Sequence, residues 1–71
     1  MSITNHAIQR FQERITDESV GFIRSFIQSS VKSSTFLFSV NGIERREFEG
    51  IIFIVDPKGG KDPVVCTVYL A

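Results

Sequence analysis

His6, Arg10 and Arg14 recur at four-residue intervals near the start of the chain. On a helix that spacing stacks three side chains along one stripe. An imidazole exchanges protons near neutral pH, and a guanidinium grips a phosphate through two parallel hydrogen bonds. The combination suits a phosphodiester, with His6 as acid or base and Arg10 or Arg14 on the charge of the transition state. The same residues have a plainer reading. Arg10 with Glu13, or Glu13 with Asp17, is an ordinary surface contact on a solvated helix face, and His6 at a helix start can simply cap or pack.

Four further groups could serve such a site. Arg45 and Arg46 are adjacent, so on a strand they point to opposite faces and only one can reach a shared ligand. Their neighbours Glu44, Glu47 and Glu49 suggest a charge-balanced edge instead. Lys58-Gly59-Gly60-Lys61 offers two cations and flexible backbone amides to a phosphate chain. It lacks the length and following helix of a nucleotide-binding loop. Thr67 and Tyr69 share one face of the last strand, where Thr67 could bond a phosphate oxygen and Tyr69 could donate a proton or stack on a base. Cys66 lies on the other face and reads as a small hydrophobe rather than a nucleophile. One His and one Cys without clustered spacing give no metal site, and no cofactor motif is read.

The elements that must hold these residues follow from periodicity. Ser2 or Thr4 can cap a helix over Asn5 to about Ile15, with Ala7, Ile8, Phe11 and Ile15 on its inner face. Thr16 or Asp17 looks like the cap of a second helix running to about Lys32 through Val20, Ile23, Phe26, Ile27 and Val31. The period then drops to two. Phe36, Phe38 and Val40 alternate with Leu37 and Ser39 as a half-buried strand, and Asn41-Gly42 signals a two-residue hairpin. Ile43 to Phe48 reads as a polar edge strand, and Gly50 as a bend or bulge. Ile51 to Val55 is apolar on both faces, hence central, and Asp56 to Pro63 is a loop. Val64 to Leu70 closes the sheet with an uncovered apolar edge that could pair with a copy of itself, so a homodimer is allowed but not required. The fold class is α+β, with two N-terminal helices on a three- to four-stranded antiparallel sheet in the order ααββββ. Phe26, Ile27, Phe36, Phe38, Phe53, Ile54 and Val65 are the expected core.

Seventy-one residues allow one domain and one core. Eight basic and eight acidic residues cancel, which argues against a binder that works by bulk charge but leaves room for a local basic patch. One unpaired Cys suits a reducing compartment, so the cytoplasm is the expected location. Asn5, His6 and Gln9 interrupt any secretory segment, and the longest apolar run is too short to cross a bilayer.

His6-Ala7, Arg10 and Glu13-Arg14, then Gly50 to Asp56, then Val64 to Tyr69, together resemble a group of small bacterial and phage domains. These open with His-Ala-x-x-Arg on a helix and close on a Val-rich strand ending in Thr-x-Tyr. The group is similar to the superfamily that unites barnase, EndoU, the ribonuclease colicins and the RelE toxins. The resemblance spans nearly the whole chain. It implies helices against a curved four-stranded antiparallel sheet and metal-independent cleavage of RNA, in which the 2′-hydroxyl attacks the adjacent phosphate. It implies His6 as acid or base, Arg10 or Arg14 on the phosphate, and Thr67 or Tyr69 lining the site. With a single His, Glu13 or Tyr69 would supply the second proton transfer. Two other readings stay open: an interaction module, such as a phage or mobile-element protein that binds a host protein or a cognate inhibitor, and an RNA-binding domain without catalysis.

Overall fold

The computed structural model describes residues 1–71. Ser2–Ile3 forms β1, Asn5–Arg14 α1, Val20–Lys32 α2, Thr35–Val40 β2, Ile43–Phe48 β3, Ile51–Asp56 β4 and Val64–Leu70 β5. The five strands make one sheet in the order β1-β5-β4-β3-β2. The α+β class and the helix order are as expected, but the sheet is neither four-stranded nor all antiparallel. Ser2 and Ile3 run parallel to Val64 and Val65. Two residues are too few for any periodicity to show. What fixes them is tertiary: Ile3 is buried in the core, and the Ser2 and Thr4 amides donate to the carbonyls of Pro63 and Val65. No helix is long and apolar enough to cross a membrane.

Thr4 caps α1, its hydroxyl accepting from the Ala7 amide at 3.0 Å. The same oxygen donates to the Cys66 carbonyl at 2.8 Å, so one side chain starts the helix and ties it to β5. Ala7, Ile8 and Phe11 face inward. The cap of α2 is Ser19, which accepts from the Phe22 amide, not Thr16 or Asp17. Residues 16–19 are spent turning the chain, and the helix begins where Ile23, Ile27 and Val31 fall on one inner stripe. Phe11 and Phe26 meet edge to face with centroids 5.5 Å apart, which joins the two helices.

The core lies between the helices and one face of β4 and β5. Phe53, Val65 and Val68 are fully buried there, with Phe11, Ile23 and Ile27 above them. The central placement of β4 is as the sequence predicts. β3 is interior, not an edge: it pairs with β2 through Phe36↔Arg46 and with β4 through Arg46↔Phe53. Its charges remain half-exposed because the sheet extends past the helices on one face and is bare on the other. β5 is likewise flanked, by β1 at Val64 and Val65, so it is not the open edge of the sheet.

The edge is β2, and it overturns the expected burial of Phe36 and Phe38. All six residues of β2 are exposed. A bulge between Phe36 and Phe38 puts an extra residue into the strand, so the two rings leave on opposite faces rather than together. Each lies under a guanidinium: Arg46 over Phe36 and Arg45 over Phe38, both at 5.9 Å from the ring centroid.

Two hairpins set the register. Asn41 and Gly42 take φ of 52° and 79° and close Val40 onto Ile43, the primed turn that the Asn-Gly pair favours. Glu49 and Gly50, at 50° and 83°, do the same between Phe48 and Ile51, so Gly50 makes a turn rather than a bulge. Gly42→Val should cost about 1–3 kcal/mol, since a β-branched residue resists positive φ although no atom blocks its Cβ. A lowered urea midpoint with unchanged far-UV circular dichroism would report it; an unaltered midpoint would show that the turn does not constrain the sheet.

Candidate functional site

His6, Arg10 and Glu13 form a chain along the outer side of α1. Arg10 Nε donates to His6 Nε2 at 3.5 Å, at the weak limit of a hydrogen bond, and Arg10 Nη1 pairs with Glu13 Oε1 at 3.1 Å. Gln9 donates to the other Glu13 oxygen. The four-residue spacing therefore brings His6 and Arg10 together, while Arg14 is exposed and outside this chain of contacts. Both Arg10 contacts are at the surface, where an ion pair contributes little to stability. A competing phosphate can displace them.

The two adjacent arginines divide as the strand dictates. Arg45 lies on the helix-free face, opposite Ile54 and against Phe38, and donates to the Ile43 carbonyl. Arg46 lies on the helix side, opposite Phe53. There it donates to the Ser34 hydroxyl at 2.8 Å and pairs with Glu44 at 3.0 Å. Those contacts aim its guanidinium toward the one groove of the molecule. The groove encloses about 440 Å³ and is lined by Val31, Lys32, Glu44, Arg46, Lys61 and Pro63, among others. Three cations face one carboxylate across it. Since Glu44 already pairs with Arg46, Lys32 and Lys61 carry the uncompensated charge.

Of the predicted substrate-binding residues, Arg46 and Lys61 thus meet and Arg45 does not join them. Lys58 is turned aside by Asp56, which pairs with its ammonium at 3.3 Å and accepts its backbone amide at 3.0 Å. That amide bond above all holds the Asp56 carboxyl below its ordinary value of 3.8. At the far side of the loop, Asp62 is lowered too, first by the α-amino group of Met1 at 2.6 Å and then by the Ser2 hydroxyl. The loop is therefore pinned at both ends, which fixes where Lys61 stands. Lys32 was not legible as a site residue: a lysine in the last turn of a helix is ordinary for the helix dipole. Only the fold sets it beside a strand and a loop far away in sequence.

Known protein families, curated proteins and solved structures show no match to this chain. The geometry carries the functional argument.

Topology gathers more at the groove's end of the molecule. Pro63 accepts from the Ser2 amide, and Val65 from the Thr4 amide, so the first turn of α1 stands over the start of β5. β4 ends there at Asp56, β3 begins there, and α2 finishes there at Lys32. His6, in that first turn, lies at the same end, but neither it nor Arg10 lines the groove. Arg10 lies about 6 Å farther along the helix axis. Thr67 and Tyr69 are elsewhere. Their register partners Ile54 and Ile52 place them on the face of β5 turned away from the core contacts of α1. Cys66 is the extra residue of a second bulge, between Ile54↔Thr67 and Val55↔Val65; its thiol lies 3.7 Å from the Val64 carbonyl.

Proposed function

We propose that this protein is a small RNA-directed domain of the toxin-like endoribonuclease kind, holding a phosphate backbone across the groove and cleaving it beside His6. The observation that carries this reading is the convergence of Lys32, Arg46 and Lys61 on one groove, with His6 on the first turn of α1 at the same end of the molecule though outside the groove lining. Cationic side chains spaced across an open groove suit the repeating charge of a single strand. In the reaction, His6 Nε2 takes the proton of a ribose 2′-hydroxyl as its oxygen bonds to phosphorus. The bond to the 5′-oxygen breaks, and that oxygen takes a proton, leaving a cyclic phosphate and a 5′-hydroxyl. Arg10 releases Nε2 as it moves onto the phosphate, and a water molecule supplies the proton to the leaving 5′-oxygen, since Glu13 pairs with Arg10 as a carboxylate and only accepts hydrogen bonds. Thr67 and Tyr69, on the helix-free face, have no part in this arrangement.

Binding is tested separately from cleavage. Lys32 and Lys61 hold no ion pair with a carboxylate, so removing them costs the fold little. For a single-stranded RNA followed by fluorescence anisotropy, the Lys32→Ala/Lys61→Ala double variant should bind more weakly. Its slope of log K against log salt should be shallower by about 1.4, roughly 0.7 for each lost phosphate contact. An unchanged slope would remove the groove from the binding surface. A second reading, RNA binding without cleavage, is favoured by one feature: the Arg10 guanidinium is already engaged by Glu13. Retained binding with intact RNA would select it.

A further inference from the structure

β2 is an unusual strand to leave at the edge of a sheet. Every residue from Thr35 to Val40 is exposed, and none is charged or proline. Phe36, Leu37, Phe38 and Val40 are each about half exposed, between 45 and 52%. Edge strands are normally guarded by inward or flanking charges, by proline or by a covering element, because their outward N–H and C=O groups can template another strand. Here the only guard is the bulge at Leu37, which interrupts the Thr35 end and leaves the hairpin end, Phe38 to Val40, regular.

We propose that this hairpin end pairs with the same segment of a second copy, antiparallel about a two-fold axis through Ser39. The two-residue turn makes Val40↔Ile43 the closing hydrogen-bonded pair. Pairs then alternate along the ladder, so Ser39 turns its N–H and C=O outward. A two-fold axis at Ser39 lets the two copies exchange those bonds. It sets Phe38 opposite Val40 twice, on the helix-free face, an aromatic and β-branched combination that cross-strand packing favours.

Three observations fit a second copy. No charge meets its like in this register, and the formal net charge of the chain is zero, so no long-range repulsion opposes association. Arg45 and its counterpart would be three strand spacings apart, about 14 Å, beyond the screening length of physiological salt. Closure also favours it: β1, the opposite edge, is only two residues long and parallel, so joining β2 to that end would give few bonds and an open chain, whereas the two-fold joint is complete. The joint is short, with a buried area near or below about 1,000 Å², the low end for specific interfaces, so the dimer is a weak, concentration-dependent one.

Sedimentation of the full chain from micromolar to millimolar concentration tests the proposal. Wild-type protein should pass from monomer to dimer and stop there. Ser39→Lys, an exposed change that faces two ammonium groups across the axis, should remain monomeric with an unaltered circular dichroism spectrum. Hydrogen exchange on wild-type protein gives a second measure that needs no variant: the Ser39 amide should slow as concentration rises. A monomer throughout, a dimer that survives Ser39→Lys, open-ended assemblies, or a Ser39 amide indifferent to concentration would each overturn it.

Discussion

Phe53→Ala should remove about 3–5 kcal/mol from the stability of this domain. The ring is fully buried at the centre of the core, between Arg46 of β3 and Val68 of β5 in the sheet. Deleting it loses the transfer free energy of the side chain and leaves a cavity that flanking strands, held by their own ladders, can only partly close. A chain of this length has a stability of roughly 4–10 kcal/mol, so the variant should unfold at room temperature at the low end of that range and stay folded with a much lower midpoint at the high end. Phe38→Ala is the matching control. Its ring is half exposed, and the contact with Arg45 contributes about 0.5–1 kcal/mol at such a site. Urea unfolding followed by circular dichroism should show a large fall in midpoint for the first variant and a small one for the second. Equal falls would mean that β2 is covered and the sheet order is wrong.

That contrast marks where the sequence was informative. β4 was legible because Ile51 to Val55 is apolar at every position, which fits a strand flanked by neighbours on both edges, although helices cover only one of its faces. The hairpin at Asn41-Gly42 was legible because its demand for positive φ is local. The other three features depend on partners far away in the chain. β1 exists only because Val64 and Val65 offer it a ladder. The edge position of β2 depends on how far the helices reach, and the alternation of Phe36 with Phe38 failed at one inserted residue. Charge misled as well: Glu44, Arg45, Arg46 and Glu47 look like an edge, yet β3 is interior because its charges pair and stack within the sheet's own faces. At the site, the contact of His6 with Arg10 was set by helical spacing and could be read directly. The groove could not, since Lys32, Arg46 and Lys61 come from three elements and meet only through the topology.

His6→Ala should lower RNA cleavage by about 10²–10⁴-fold, the usual scale for a general acid or base. The side chain is exposed and its one hydrogen bond is the weak one from Arg10, so the fold should be unaffected within about 0.5 kcal/mol. Binding should survive, because the groove cations are untouched. Arg10→Ala should act differently: it keeps the base but loses a phosphate contact, so affinity falls and the salt slope flattens by about 0.7. The two variants thus separate proton transfer from charge recognition, and a purely structural role for the helix face would give neither signature.

The most direct measurement is incubation of single-stranded RNA with wild-type and His6→Ala protein in excess EDTA, with the fragment ends identified. The account predicts that wild-type protein yields fragments ending in a cyclic phosphate, and that His6→Ala does so at least about a hundredfold more slowly. RNA left intact by the wild-type protein, or cut equally well by His6→Ala, would contradict it.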